Sequence, residues 1–253
     1  MEKFINNFSH FFNIYKPILD NPQPKNPENY EEKCKTHVSI YSGTTDFFKS
    51  DCIKCMKYLK YLDDYDDLGY QKQGIVYLYL WLQYYEKKNN IDNVKTLDSI
   101  NTLMESYEKI STNVPNIQNI YNNDIKNKLN DKLNDLYYLY YKFNKFKKNE
   151  SCTDTKCTCA KECVDTYIMS IKKCDSDGNE YLCNELEKFR EQYNTYMSSV
   201  EACPGVQSYL PSCKKYSTSV IILFSFITIS VLSSLLFILY KVITIFIYLF
   251  IVQ

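Results

Sequence analysis

Apolar side chains recur at three- and four-residue spacing in four stretches of the chain, a pattern typical of helices that bury one face. Pro115 follows the second stretch, and Pro204 and Gly205 follow the fourth, where they would stop a helix. No alternating strand pattern competes with these stretches. The apolar positions are Tyr77, Leu78, Trp81, Tyr84 and Tyr85; Val94, Leu97, Ile100, Met104, Tyr107 and Ile110; Leu129, Leu133, Leu136, Tyr140 and Phe143; and Leu182, Leu186, Phe189, Tyr193 and Tyr196. The sequence predicts an all-α helical bundle with these stripes as its core.

A longer apolar run lies near the C-terminal end of the chain. Val220 to Tyr240 reads VIILFSFITISVLSSLLFILY, without a charge, a proline or a glycine. As a helix this run is about 30 Å long, enough to cross the hydrocarbon core of a bilayer. Tyr216 and Tyr240 flank it, at positions where interfacial aromatic residues are favoured. We therefore expect a single C-terminal transmembrane helix.

The composition divides the chain into four segments. Residues 1–30 form an N-terminal segment whose residues 17–29 contain four prolines and predict a turn or linker, not a helix. Residues 31–216 form a cysteine-rich helical ectodomain, and residues 217–241 form the transmembrane helix. Residues 242–253, VITIFIYLFIVQ, are a short apolar tail that either extends the span or reflects an incomplete gene model. The N-terminus lacks the uninterrupted apolar core and cleavage site of a secretory signal, so export would use the transmembrane segment or an unusual route.

All eleven cysteines precede the apolar run. This clustering favours an oxidising compartment and predicts disulfides, with at least one thiol left free or paired between chains because the count is odd. Pairing is expected between neighbouring helices, with Cys163 and Cys174 on one helical face, and Cys157 and Cys159 are too close to pair with each other. The probable disulfide cysteines are Cys34, Cys52, Cys55, Cys152, Cys157, Cys159, Cys163, Cys174, Cys183, Cys203 and Cys213.

The flanking charges give a weaker and opposite indication of orientation. Lys214 and Lys215 precede the apolar run, and Lys241 follows it. The excess of one lysine favours the N-terminal side inside. The eleven cysteines carry more weight, and we expect the N-terminal part to lie outside.

No catalytic, cofactor-binding or metal-binding residue is predicted. Lys plus Arg and Asp plus Glu number 30 each, so the basic excess of a nucleic-acid-binding protein is absent. The only histidines are His10 and His37, and the chain has no phosphate loop, HExxH or GxSxG motif. The spacings Cys52-x-x-Cys55 and Cys157-x-Cys159 could serve zinc or redox chemistry, but disulfides explain them better. The sequence indicates a protein that is not an enzyme and has no small-molecule substrate.

Two acidic stretches and two glycosylation sequons do not indicate a function by themselves. Residues 63–67 (DDYDD) and 175–179 (DSDGN) could bind a hard cation, but solvated turns explain them, and the second lacks the spacing of an EF-hand. The sequons at Asn7 and Asn149 are no more than chance predicts in a chain rich in Asn and Ser. By themselves they carry no functional information.

Several segments of the chain combine aromatic residues and cysteines at characteristic spacings. They are LYYLYYKFNKF (136–146), CTCAKECVDTYIMSIKKC (157–174), CNELEKFREQYNTYM (183–197), and the CP and LPS that follow. Together they resemble the Vir proteins of the malaria-parasite interspersed-repeat (PIR) family. Upstream, CIKCMKYLKYLDDYDD and VYLYLWLQYYEKKN are similar to that family's aromatic-rich helices. The resemblance covers nearly the whole chain. The apolar tail after Lys241 departs from the family pattern, in which a polar stretch containing Pro and Gly follows the membrane helix.

The resemblance implies a function as well as a fold. Family members are multigene variant antigens, largely α-helical, with a cysteine-rich ectodomain and one transmembrane helix. We therefore expect a variant surface antigen on infected red cells or parasite-derived membranes, serving antigenic variation, immune evasion or host-cell adhesion. Its partners would be the membrane and host proteins or antibodies. The alternative is an internal parasite membrane protein with a structural or trafficking role.

Overall fold

The computed structural model contains nine α-helices and no strand in the part of the chain that it describes, confirming the all-α prediction. It describes residues 1–25, 30, 31, 34, 45–91, 95–108, 116–152, 155–177, 179–201, 203–213 and 218–251. The chain divides into two compact units, Met1–Cys213 and Lys214–Gln253. The helices are α1 (Phe8–Asp20), α2 (Thr45–Asp63), α3 (Leu68–Lys88), α4 (Thr96–Glu108), α5 (Asn116–Ile120), α6 (Asn134–Lys147), α7 (Lys156–Asp177), α8 (Glu180–Met197) and α9 (Thr218–Ile251). Short turns of 3₁₀ and π helix lie at Glu2–Phe4, Tyr121–Ile125 and Lys126–Lys128.

Short polar side chains fix where three of these helices begin. The side chains of Asn7, Asp67 and Asn179 precede α1, α3 and α8 and accept hydrogen bonds from the N–H groups of His10, Tyr70 and Leu182, at 3.0, 2.8 and 3.0 Å. Each bond satisfies a backbone donor that the first helical turn leaves without a partner. The helix starts are therefore encoded locally.

Helix α1 corrects the prediction for the N-terminal segment. The helix runs through Pro17 and ends only at Asp20, so the prolines mark a turn or linker in residues 21–25 but not in residues 17–20. Its buried residues, Phe8, Phe11, Phe12, Tyr15 and Leu19, form a helical stripe that joins the core of the Met1–Cys213 unit. Burying five large apolar side chains outweighs the cost of one proline near the helix end.

An aromatic cluster joins α1, α3 and α6 at the centre of the first unit. The Phe12 ring lies 6.1 Å from that of Tyr77, 5.6 Å from that of Tyr137 and 5.9 Å from that of Tyr140, between centroids. The Tyr77 and Tyr137 hydroxyls are 3.4 Å apart, so each polar tip has a partner inside the core. These spacings are typical of tilted and edge-to-face ring contacts.

The four predicted stripes are largely placed as expected. The first lies wholly within α3 and is buried, and the fourth lies within α8. In the second, Ile100, Met104 and Tyr107 are buried in α4, whereas Leu97 is 38 % exposed. The remaining two members of that stripe, at positions 94 and 110, lie outside the described residues. The third is divided, because α6 begins at Asn134 and the first two leucines of the stripe are buried in the preceding turn.

Helix α9 forms the second unit and is longer than predicted. It contains the whole of Val220–Tyr240 but continues through Lys241 to Ile251, so the predicted apolar tail is helical up to that residue. The stretch Ile222–Ile245 has a mean hydropathy of 2.5 and is long and apolar enough to cross a membrane. None of that stretch is buried. By its length and composition this helix is a candidate membrane span.

Four hydroxyl groups in α9 are satisfied within the helix. The side chains of Thr228, Ser230, Ser234 and Thr244 each donate to the carbonyl oxygen four residues earlier. Such bonds let Ser and Thr enter hydrocarbon without leaving a polar group unpaired. The polar residues are therefore compatible with a membrane-spanning segment.

Candidate functional site

Eight of the eleven cysteines form four disulfides, all within the Met1–Cys213 unit. The Cα–Cα distances lie between 5.2 and 5.8 Å, within the usual range for disulfides. The pairs are Cys34–Cys52, Cys152–Cys159, Cys157–Cys203 and Cys174–Cys183. As predicted, Cys157 and Cys159 pair with other cysteines instead of with each other.

Three of the four disulfides surround α7 and α8. Cys152–Cys159 ties the α6–α7 connection to the first turn of α7, and Cys174–Cys183 joins the end of α7 to the start of α8. Cys157–Cys203 links the start of α7 to the segment after α8, across 46 residues of sequence. The α7–α8 hairpin is therefore cross-linked at both of its ends.

Three of the eleven probable disulfide cysteines form no disulfide, in agreement with the expectation that at least one stays free because the count is odd. Cys55, Cys163 and Cys213 are free. The side chains of Cys55 and Cys163 are buried in the core, and the Cys163 thiol lies 3.7 Å from the Leu139 carbonyl oxygen. Cys163 and Cys174 were expected to form disulfides from one helical face, but only Cys174 does so, with Cys183. The thiols of Cys55 and Cys163 stay unpaired because each points into the apolar core, where its neighbours are packed side chains and not a second cysteine.

The free thiols are held in their protonated form. Burial raises the pKa of Cys55 to about 12 and that of Cys163 higher still. Burial, followed by the nearby Glu187 carboxylate, raises the pKa of Cys213 to about 11. Because the thiolate is the nucleophile and the metal ligand, none of these groups is activated for either role near neutral pH.

The Glu187 carboxylate holds the last residues of the first unit against α8. It accepts hydrogen bonds from the Ser212 hydroxyl at 3.1 Å and from the Cys213 N–H and thiol, both at 3.2 Å. Arg190 Nε donates to it at 2.7 Å. Partial burial by itself raises the pKa of Glu187, but the bonds from Cys213, Arg190 and Ser212 lower it overall. This carboxylate is ionised and engaged in fixing the chain.

Two other buried carboxylates have structural partners. Glu185 accepts a hydrogen bond from the Phe8 N–H at 2.9 Å and pairs with Lys188, so it connects α8 to the first turn of α1. Glu86 accepts from the Thr96 hydroxyl at 2.6 Å and from the Ser99 hydroxyl, and burial raises its pKa. Both groups satisfy donors at the starts of neighbouring helices.

The first acidic run also has structural roles. Asp63 accepts from the Tyr107 hydroxyl and the Ile117 N–H, both at 3.1 Å, and Asp64 pairs with Lys60 at 3.0 Å. Asp64 also accepts a hydrogen bond from the Lys25 N–H at 3.1 Å. The expectation of a solvated turn is thus wrong for these two residues, which join separate segments, and holds for Asp66, which is exposed.

The second acidic run and the histidines form no metal site within the described part of the chain. Asn179 caps α8, and the side chains of residues 175–178 lie outside the described ones. His10 is exposed on α1, whereas His37 is not among the described residues. Among the residues that the structure places, no group of three or more His, Cys, Asp and Glu side chains could hold a metal ion.

An open groove of about 640 Å³ lies between α6 and α8. Its apolar floor is Phe143 and Tyr196, and Lys147 Nζ lies 4.7 Å from the centre of the Phe143 ring. Burial lowers the pKa of Lys147. The hydroxyls of Ser198 and Ser199 donate to backbone carbonyl oxygens 2.7 Å away. These hydroxyls are thus bonded to the backbone and are not paired with a general base.

No protein-family model matches the chain, and no curated protein or solved structure matches it either. The interpretation of this molecule therefore depends on its own residues: a disulfide-bonded helical unit and a long apolar helix.

Thiol accessibility tests the cysteine arrangement directly. We expect a mass-shifting alkylating reagent to label at most Cys213 in the native protein, because the other two free thiols are buried. Denaturation without reduction should expose three labelled thiols, and reduction should expose all eleven. Mass spectrometry of the labelled chain gives each count. Nine or more thiols labelled without reduction would contradict the four disulfides.

Proposed function

We propose that this chain is a non-enzymatic, single-pass membrane protein that displays its disulfide-bonded helical unit as a variant surface antigen of the PIR/Vir type. In this role the unit serves antigenic variation, immune evasion or host-cell adhesion. The observation that carries the proposal is the division of the chain: four disulfides in Met1–Cys213, followed by an apolar helix with no buried residue in its 24-residue core stretch.

The disulfides support an outward orientation of the first unit. Disulfides persist in oxidising compartments and are rare in the reducing cytosol. The lysines on the two sides of the apolar run Val220–Tyr240 differ in number by only one, and this is a weak topological signal beside four disulfides. The proposed orientation therefore places Met1–Cys213 on the lumenal or extracellular side of the membrane.

The hydrogen bonding of the buried carboxylates and the burial of the free thiols support a non-enzymatic role. The carboxylates with shifted pKa values, Glu86 and Glu187, bond to donors that hold helices or the chain end in place. The free thiols carry raised pKa values because of burial. A rigid scaffold with a variable surface is well suited to display, because substitutions at exposed positions leave the packed core unchanged.

Surface proteolysis of intact infected red cells tests the proposed display. We expect trypsin added outside to cleave the Met1–Cys213 unit, which carries exposed lysines at Lys87, Lys88 and Lys148. The same treatment of permeabilised cells controls for cleavability of the compact unit. Protection in intact cells combined with cleavage after permeabilisation would contradict surface display. That result would favour an internal parasite membrane protein with a structural or trafficking role.

A further inference from the structure

The turn after α6 presents an asparagine side chain on the protein surface. Asn149 has a φ of 56°, and the N–H of Glu150 donates to the Lys145 carbonyl oxygen at 2.9 Å. This is the Schellman arrangement, in which the residue after the helix adopts the left-handed conformation that Asn tolerates better than most residues. The helix end itself therefore fixes where this side chain lies.

Asn149 begins the sequence Asn149-Glu150-Ser151, and all three residues are exposed. The carboxamide oxygen of Asn149 accepts a long hydrogen bond of 3.4 Å from Lys156 Nζ. Its amide nitrogen makes no hydrogen bond to another described residue. The triplet has the acceptor pattern for N-linked glycosylation, and the reactive nitrogen is on the surface.

The sequon at Asn7 also begins with an exposed asparagine but differs in the surroundings of its second and third residues. Phe8, its middle residue, is fully buried and donates its N–H to Glu185. The Ser9 hydroxyl donates to the Gln192 side chain at 3.1 Å, and the Asn7 oxygen caps α1. Once α1 packs into the core, this triplet is no longer available as a unit. The structure thus separates two sequons that the sequence leaves equivalent.

We propose that Asn149 is an acceptor for an N-linked glycan. The donor class is a sugar attached to a lipid diphosphate. The Asn149 amide nitrogen forms a bond to the anomeric carbon, the bond from that carbon to the diphosphate oxygen breaks, and the amide proton passes to a base of the transferase. The inference rests on the proposed function, because it requires Met1–Cys213 to enter the lumen that contains this donor.

Cell-free translation of the full chain with endoplasmic-reticulum microsomes tests the site. We expect one mass shift that an N-glycosidase removes. The shift should be lost in Ser151→Ala, which removes the required hydroxyl but keeps the asparagine in its turn, and also in Asn149→Gln. It should persist in Asn7→Gln. A shift that depends on Asn7 and not on Asn149 would overturn the proposal.

The end of α3 offers a matched control. Asn90 has a φ of 54°, is exposed, and is followed by an Ile91 N–H that donates to the Glu86 carbonyl oxygen at 3.0 Å, the same turn as that of Asn149. The substitution Asp92→Ser completes an acceptor triplet that begins at Asn90. In this variant we expect two shifts. One shift that depends on Asn90 alone would overturn the Asn149 inference and leave the lumenal orientation standing. No shift at either position would overturn both.

Discussion

Phe12→Ala should lower the free energy of unfolding of the first unit by about 3–5 kcal/mol, the range for removing a large aromatic side chain from a packed core. The Phe12 side chain is 1 % exposed and contacts rings from α3 and α6. Its loss removes apolar burial and leaves a cavity beside the Tyr77 and Tyr137 rings. Denaturant titration of the full chain in detergent, followed by the fluorescence of the single tryptophan, Trp81, gives the change.

His10→Ala is the control for this substitution. His10 lies on the same helix but is exposed, so its removal should change the free energy of unfolding by no more than about 0.5 kcal/mol. If Phe12→Ala were as mild as His10→Ala, α1 would not belong to the core, and residues 1–30 would be the separate segment that the prolines suggest.

Helical periodicity predicted four of the nine described α-helices, α3, α4, α6 and α8, because burial repeats along one face of each. Every position of the first predicted stripe lies in α3, and every position of the fourth lies in α8. Helix α1 is not among the predicted stripes, and the four prolines place residues 17–20 in a turn or linker, although the apolar spacing from Phe8 to Leu19 is helical. Tertiary burial decides such conflicts, and a single sequence does not show which contacts a helix will make.

Cysteine chemistry could be predicted only in part. The number and clustering of the cysteines indicate disulfides, and the short separation of Cys157 and Cys159 excludes their pairing with each other. The pairing itself depends on which helices meet in space. Cys163 follows Cys159 by one helical turn, yet Cys159 faces the α6–α7 connection and pairs with Cys152, whereas Cys163 faces the core and stays free. Sequence spacing alone cannot distinguish these two environments.

The two glycosylation sequons likewise share a sequence pattern that does not show their different surroundings. Asn7-Phe8-Ser9 and Asn149-Glu150-Ser151 fit one pattern, but the middle residue of the first packs into the core, whereas all three residues of the second are exposed. A clue was present in the sequence, because the phenylalanine of the first triplet belongs to the apolar spacing of α1, whereas the second contains no apolar residue. The helical stripe that begins at Phe8 therefore distinguishes the two triplets.

The largest effect of a disulfide should come from the Cys157–Cys203 pair. Replacing both cysteines with serine should lower the free energy of unfolding by roughly 4 kcal/mol in the chain-entropy description, because the bond closes the longest loop of the four, 46 residues. Cys152→Ser with Cys159→Ser opens a loop of only 7 residues and should cost roughly 2 kcal/mol. Both double variants remove two half-buried or buried sulfurs near the start of α7, so they are matched in chemistry and place.

The ranking of these two variants is the decisive result, measured by the same tryptophan-monitored titration under non-reducing conditions. Cys213→Ser serves as the control for loss of a thiol, because Cys213 is free and a serine hydroxyl can still donate to Glu187. After complete reduction, the difference between each double variant and the unsubstituted chain should nearly vanish, since neither then has the cross-link. Equal costs for the two pairs before reduction would mean that loop closure does not govern their contribution. A difference that survived reduction would mean that the serine substitutions perturb packing around α7 instead of removing a constraint on the unfolded chain.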